Sequence, residues 1–290
     1  MKSKRILNRI LVGFMTAALV MYVPAKAVYA DAYKVVTIGK DLTDQQKKDM
    51  LKYFGVDEKT ANVIEVNIDE ERKYLSDSVS SDKIGTKSIS SSYVEPTSSG
   101  GLNVSVNNVY WVDSNMIKNA LITAGINNAN VKVSAPFKVS GTAALTGIIK
   151  GFENSSKGAK IDEDKKKTAN QELTTTAELG DKIGKDKASK VINDIKTQVI
   201  KDKPKDKEAI KKIVEKEVRN YNLKLSSEDI DKITELMNKI NGLNLNFSDI
   251  KDQLTQVSNQ LKGVLSSEEA QGFFSKLASF IKSLFAKLFG

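Results

Sequence analysis

LNVSVNNVYWVDSNMIKNALITAGINNANVKVSAPFKVSGTAALTGIIKGFE, residues 102–153, sets the fold class. Apolar and polar residues alternate over its first eleven positions, the period of a half-buried strand. Asp113 or Ser114 then stands as the cap of a helix over residues 115–124, and Gly125 as its stop. Alternation returns over residues 128–139, interrupted by Pro136, which suits a sheet edge or a bend. Ser140 reads as the cap of a second helix that continues to Glu153. Strand, helix, strand, helix is the order of an α/β unit.

Upstream, residues 33–38 (YKVVTI) form a short apolar strand. Thr43 and Gln46 have capping-box spacing, Met50, Leu51 and Phe54 carry the helical period, and Gly55 ends it. Residues 63–68 alternate as a further strand, with Asp69, Glu70 and Glu71 just beyond. A Ser-, Thr- and Gly-rich region runs from Ser76 to Gly101. Within it, residues 88–94 are a candidate strand and residues 96–101 a turn.

Downstream, the pattern changes. Residues 168–265 are nearly free of strand signal. Apolar side chains recur at helical spacing at Val191, Ile192, Ile195 and Val199, and again at Ile210, Ile213, Val214 and Val218. The series continues with Ile230, Ile233, Leu236, Met237 and Ile240, then Ile250, Leu254, Val257 and Leu261. Ser226 or Ser227 opens the third of these helices and Ser248 the fourth. The expected architecture is an α+β or α/β N-terminal domain, then an all-α helical region, then a C-terminal amphipathic helix. The expected boundaries are 1–30 for a signal peptide, 31–154 for the α/β domain, 155–167 for a linker, 168–265 for the helical region and 266–290 for the final helix.

The signal peptide rests on Lys2, Lys4, Arg5 and Arg9, followed by a 14-residue apolar run over 10–23, with small residues permitting cleavage after Ala27 or Ala30. The run is short of the ~20 residues that span a bilayer. The expected location is therefore secreted or extracytoplasmic, possible association with the outer face of the membrane included. Residues 1–30 hold five of the 45 basic residues and no acidic one, so the remainder sets 40 against 36. That modest excess lacks the concentrated basic footprint of a nucleic-acid binder.

With no Cys and no His in the chain, Cys–His pairs, Ser–His–Asp triads and His or Cys zinc sites are excluded. No cofactor, metal or catalytic residue is expected. Carboxylate chemistry remains, as a Ca or Mg site or a two-carboxylate hydrolase acting on cell-wall material; Glu65, Asp69 and Glu95 are candidates for the latter, and sequence spacing alone does not place them at a glycosidase distance. Residues 140–147 lack the ending and glycine spacing of a phosphate loop. Ser140, Gly141 and Thr142 at a helix start still offer N–H groups to an anion, while Gly147 and Gly151 read as a smooth packing face. Tyr110 and Trp111 form a candidate aromatic platform, alternatively with one ring in the core. Residues 88–92 and 103–108 are either a polar surface for glycan or the wet face of strands.

The last segment, 272–290, places Phe273, Phe274, Leu277, Phe280, Ile281, Leu284, Phe285, Leu288 and Phe289 on one helical face and Lys276, Lys282 and Lys287 on the other. Such a helix suits an anionic membrane surface, or packs on a protein partner or on the chain's own core.

The stretches ERKYL (71–75), IGTKSISSSYV (84–94), GLNVSVNNVYWV (101–112) and residues 119–153, with VTIGKDLTDQQKKDML (36–51), resemble the DUF1002 (YpuA-like) family of uncharacterised secreted proteins from Gram-positive bacteria. The resemblance runs from about residue 32 to 265. It implies an α/β part followed by helices, and no activity, substrate or catalytic residue. The reading is an exported, non-enzymatic interaction or structural protein of the cell envelope, with a cell-wall component as a candidate partner.

Overall fold

The computed structural model describes residues 33–75 and 81–261. Among these, five strands form one sheet: β1 (Val35–Gly39), β2 (Asn62–Val66), β3 (Ser91–Pro96), β4 (Leu102–Val106) and β5 (Ala129–Ser134). Their order is β2-β1-β3-β5-β4. β1 pairs in parallel with β2, and β4 with β5, while β3 runs antiparallel between the two pairs.

The register divides the side chains between two faces. Val35, Val94, Val131 and Val104 lie in one row, and Val36, Tyr93, Lys132 and Ser105 in the next. Alternate rows point to opposite faces. The first face is covered by α4 (Ser114–Ala124) and α5 (Ala143–Glu153), with α2 (Ile68–Leu75) beside α5. Gly147 and Gly151 make that contact close. A Cβ at Gly147 would lie 2.8 Å from Thr37 Oγ1, and one at Gly151 3.2 Å from Val94 Cγ2.

On the second face, α1 (Asp44–Phe54) packs Met50 and Phe54 against Val36, Ile38, Ala61 and Tyr93. Its capping box is formed as the spacing predicts, with Thr43 and Gln46 exchanging side-chain and backbone bonds. Gly55 closes the helix at φ 74°. Among the described residues, no helix packs on the β5 and β4 half of this face.

The helical half lies over α4. It comprises α6 (Glu163–Ile183), α7 (Lys185–Asp202), α8 (Lys207–Asn220), α9 (Ser227–Gly242) and α10 (Phe247–Gln260), with a short α3 (Ser81–Ile84) upstream. One hydrophobic core runs continuously from Val104 and Val131 through Leu121 and Ile148 to Leu173, Ile195, Leu236 and Leu254. Helices and sheet are therefore packed on one another.

Several sequence expectations shift. Ser140 does not cap α5. Its Oγ donates to Lys83 O at 3.2 Å, and α5 begins at Ala143 behind Thr142, which makes no side-chain cap bond. α10 is capped by Asn246, whose side chain accepts from the Ser248 N–H, so Ser248 lies inside the helix. The alternation over 102–112 ends as a strand at Val106, because Asn108 turns the chain at φ 56°. α6 starts within the segment read as a linker. The predicted signal peptide and the predicted final helix lie outside the described residues.

Candidate functional site

Beyond the carboxyl ends of the parallel strands β4 and β5, two loops run side by side. Asn107 N–H donates to Val133 O at 2.9 Å, Val139 N–H to Asn108 O at 3.1 Å and Tyr110 N–H to Val139 O at 2.9 Å. Asn108 Nδ2 adds a bond to Ala135 O at 2.8 Å. In sheets of this kind, the carboxyl ends of parallel strands are where loops gather recognition groups.

These loops bring together all five residues singled out as a ligand surface. Four of them hold the loops in place. The Trp111 side chain is buried, its indole Nε1 donating to Asp181 Oδ2 at 3.0 Å. Lys83 Nζ sits 5.0 Å from the Trp111 ring centre and 3.3 Å from Asp181. Ser140 O accepts the N–H groups of Trp111 and Val112. Gly141, at φ 89°, is where a Cβ would collide with Val109 and Val112, and Thr142 is buried behind it. Tyr110 is the member that faces solvent, at 54 % exposure. Its carbonyl accepts from Lys185 Nζ. Phe137, two residues before Val139, is 50 % exposed.

The uncovered half of the second sheet face leads up to these loops. Glu95, Asn130 and Asn103 form one row; Tyr93, Lys132 and Ser105 form the next. Asn103, Ser105 and Asn107 are exposed, and Glu95, Asn130 and Lys132 half-buried. Asn130 Nδ2 donates to Glu95 Oε2 at 3.1 Å, and Lys132 Nζ lies 5.3 Å from the Tyr93 ring centre while bonding Phe54 O. The surface offers amides, hydroxyls and an ammonium in a fixed grid. Asn103, Ser105 and Asn107 belong to the polar stretch recognised in the sequence. Asn130, Lys132 and Phe137 were missed, although the alternation over β5 places Asn130 and Lys132 on its wet face.

The carboxylates are dispersed. Glu65 pairs with Lys47 at 2.7 Å, and that hydrogen bond holds its carboxyl below the usual range. Glu95 is two strands away. Asp69 is exposed at the start of α2, 3.9 Å from Arg72. A different carboxylate is perturbed: Glu71 is buried, and burial pushes it up to about 7, with the Ser88 side chain against it opposing the shift and Asp41 adding to it. Among the described residues, no group of three or more acidic side chains is placed to hold a metal ion.

A family model described as a protein of unknown function, DUF1002, matches residues 38–257. The chain belongs to the DUF1002 family. It is 37 % identical over 283 residues to the uncharacterized protein YpuA of Bacillus subtilis (strain 168), covering 96 % of this chain and 97 % of that one. No solved structure matches. The DUF1002 match spans both the sheet and the helical layer, and so includes the paired loops and the polar face. Phe273, Phe274, Lys276, Leu277, Phe280, Ile281, Lys282, Leu284, Phe285, Lys287, Leu288 and Phe289 lie beyond the DUF1002 match and outside the described residues.

Proposed function

We propose that the chain is an exported, non-enzymatic binding protein of the cell envelope, which presents the uncovered face of β3, β5 and β4 to a polyhydroxylated wall polymer. The observation that carries this reading is the grid of the exposed Asn103 and Ser105 beside the half-buried Asn130 and Lys132, continued by Asn107 to the exposed Tyr110 and Phe137. Amide and hydroxyl side chains exchange hydrogen bonds with sugar hydroxyls, and an exposed aromatic ring packs on the apolar face of a sugar. Residues 272–290 supply a second attachment, to an anionic membrane surface or to a protein partner.

The test is co-sedimentation of residues 31–290 with purified insoluble cell-wall sacculi, beside a variant carrying Asn103→Asp, Asn130→Asp and Tyr110→Ala. Pelleting of the parent and loss of at least about half of it in the variant supports the reading. Equal pelleting of both, or none of either, overturns it. Release of soluble fragments that stops when a single Asp or Glu is changed in a protein that still folds establishes the carboxylate hydrolase instead.

A further inference from the structure

A second open feature lies at the opposite edge of the sheet. β2 is an edge strand, and a cleft of about 790 Å³ opens beside it, lined by the apolar Ile38, Leu51, Ala61 and Val63 and on its polar side by Glu58 and Asn154 among others. Asn62 N–H donates to Lys34 O and Lys40 N–H to Val66 O, each at 2.9 Å. In a parallel ladder the residues facing the neighbour alternate. Asn62, Ile64 and Val66 therefore bond to β1, and the main-chain groups of Val63 and Glu65 point outward.

The outward groups are not equivalent. Glu65 O accepts from Lys150 Nζ at 2.6 Å. Among the described residues, the Val63 N–H, the Val63 carbonyl and the Glu65 N–H remain available to a strand laid along the edge. Lys150 thereby sets where such a strand must end. An antiparallel strand would direct an N–H at the Lys150 ammonium. A parallel strand reaches the Glu65 N–H with a carbonyl oxygen, and if that residue is the last, with a carboxylate. Lys40, Lys47 and Lys150 all act electrostatically on Glu65 at this end. They face two carboxylates there, Glu65 and Glu70, the latter 2.5 Å from Lys150. The local balance thus favours an incoming negative charge.

We propose that the groove along β2 binds the carboxyl-terminal end of an extended peptide by parallel strand addition, with an apolar side chain at the penultimate position. Strand addition supplies main-chain bonds, and pockets for alternate side chains supply the selectivity. In parallel register the ligand residue beside Val63 shares its face, which is the face of Val36 and Ile38. Its side chain therefore enters the floor of Ile38, Leu51 and Ala61. The terminal residue lies one step further, at the lysines. This site is separate from the polar face of β4 and β5 and stands or falls without it.

The experiment titrates residues 31–290, labelled with ¹⁵N, with acetyl-Thr-Val-Ser-Leu-Ala as the free acid and as the C-terminal amide. The expected result is movement of the Val63 and Glu65 amide signals by the acid, with the amide at least about tenfold weaker. Val63→Pro removes an N–H that faces outward, which an edge strand tolerates, and abolishes binding. Lys150→Gln is a second variant, and it narrows the gap between acid and amide. No movement of either signal at millimolar free acid overturns the proposal, as does equal binding of acid and amide.

Discussion

Glu71 has a buried carboxyl whose Oε1 finds no hydrogen-bond donor among the described residues, with Ser88 against it and Asp41 close by. Burial raises it from 4.5 to about 7, the Ser88 contact and Arg72 acting the other way, Asp41 and Glu70 adding to the rise. A carboxyl raised in the folded state contributes stability that is complete below the unfolded value and lost as pH climbs through the folded one. The window is therefore pH 4.5 to about 7, and the loss across it is about 3 kcal/mol. The urea midpoint of the parent falls over that range, and Glu71→Gln flattens the curve; an unchanged slope in the variant contradicts the assignment. Lys196 and Glu172 show the opposite case, a buried charge that is partnered. Lys196 Nζ reaches Glu172 Oε1 at 2.7 Å, Asn119 O at 2.8 Å and Thr123 Oγ1 at 3.3 Å, and Thr123 donates to the other Glu172 oxygen. Burial pushes Glu172 up and Lys196 down, and their mutual attraction opposes both shifts. Neither residue was legible as buried, since Lys and Glu on a helix normally face water. Trp111 was legible only as one of two alternatives, and the indole bond to Asp181, seventy residues away, places its ring inside.

Among the elements, α5 shows how a sequence pattern becomes a packing distance. Gly147 and Gly151, four apart, read as a smooth helical face, and that face meets Thr37, Ser92 and Val94. Gly147→Ala adds a methyl 2.8 Å from Thr37 Oγ1, which is hydrogen-bonded to Ser92. The strain of overpacking exceeds the gain in helix propensity, so the net cost is about 1–2 kcal/mol. Chemical denaturation measures it, and a stabilised variant contradicts the close contact. Local signals worked at several helix ends: Thr43 with Gln46 at the start of α1, Gly55 at its end, Asp113 at the start of α4 and Ser226 at the start of α9. They failed where a distant partner took the group, as Lys83 did with Ser140, and where a nearer side chain made the cap instead, as Asn246 did ahead of Ser248. α6 was not recognised as a helix of its own. Its buried face is made of Thr168, Ala169, Thr176 and Ala177 as much as of Leu173 and Leu179, so its apolar period is faint.

For the molecule as a whole, the shared core between sheet and helices implies one cooperative unit. Trp111, the single Trp of the chain, sits where the β4–α4 loop meets α3 and α6. Its fluorescence and the far-ultraviolet signal of the helices are expected to change together on heating residues 31–290, with one midpoint. Two separate midpoints show that the halves unfold independently. Periodicity and capping chemistry, which act within a few residues, were enough to establish an α/β half followed by a helical half. The same chain-local reading excluded His- and Cys-based chemistry outright. Strand order, the half of the sheet left uncovered and the free edge of β2 come from contacts between residues far apart in the chain. So do the partners of Lys196 and the burial of Glu71, because burial and pairing at those distances belong to the packed fold and have no period to read.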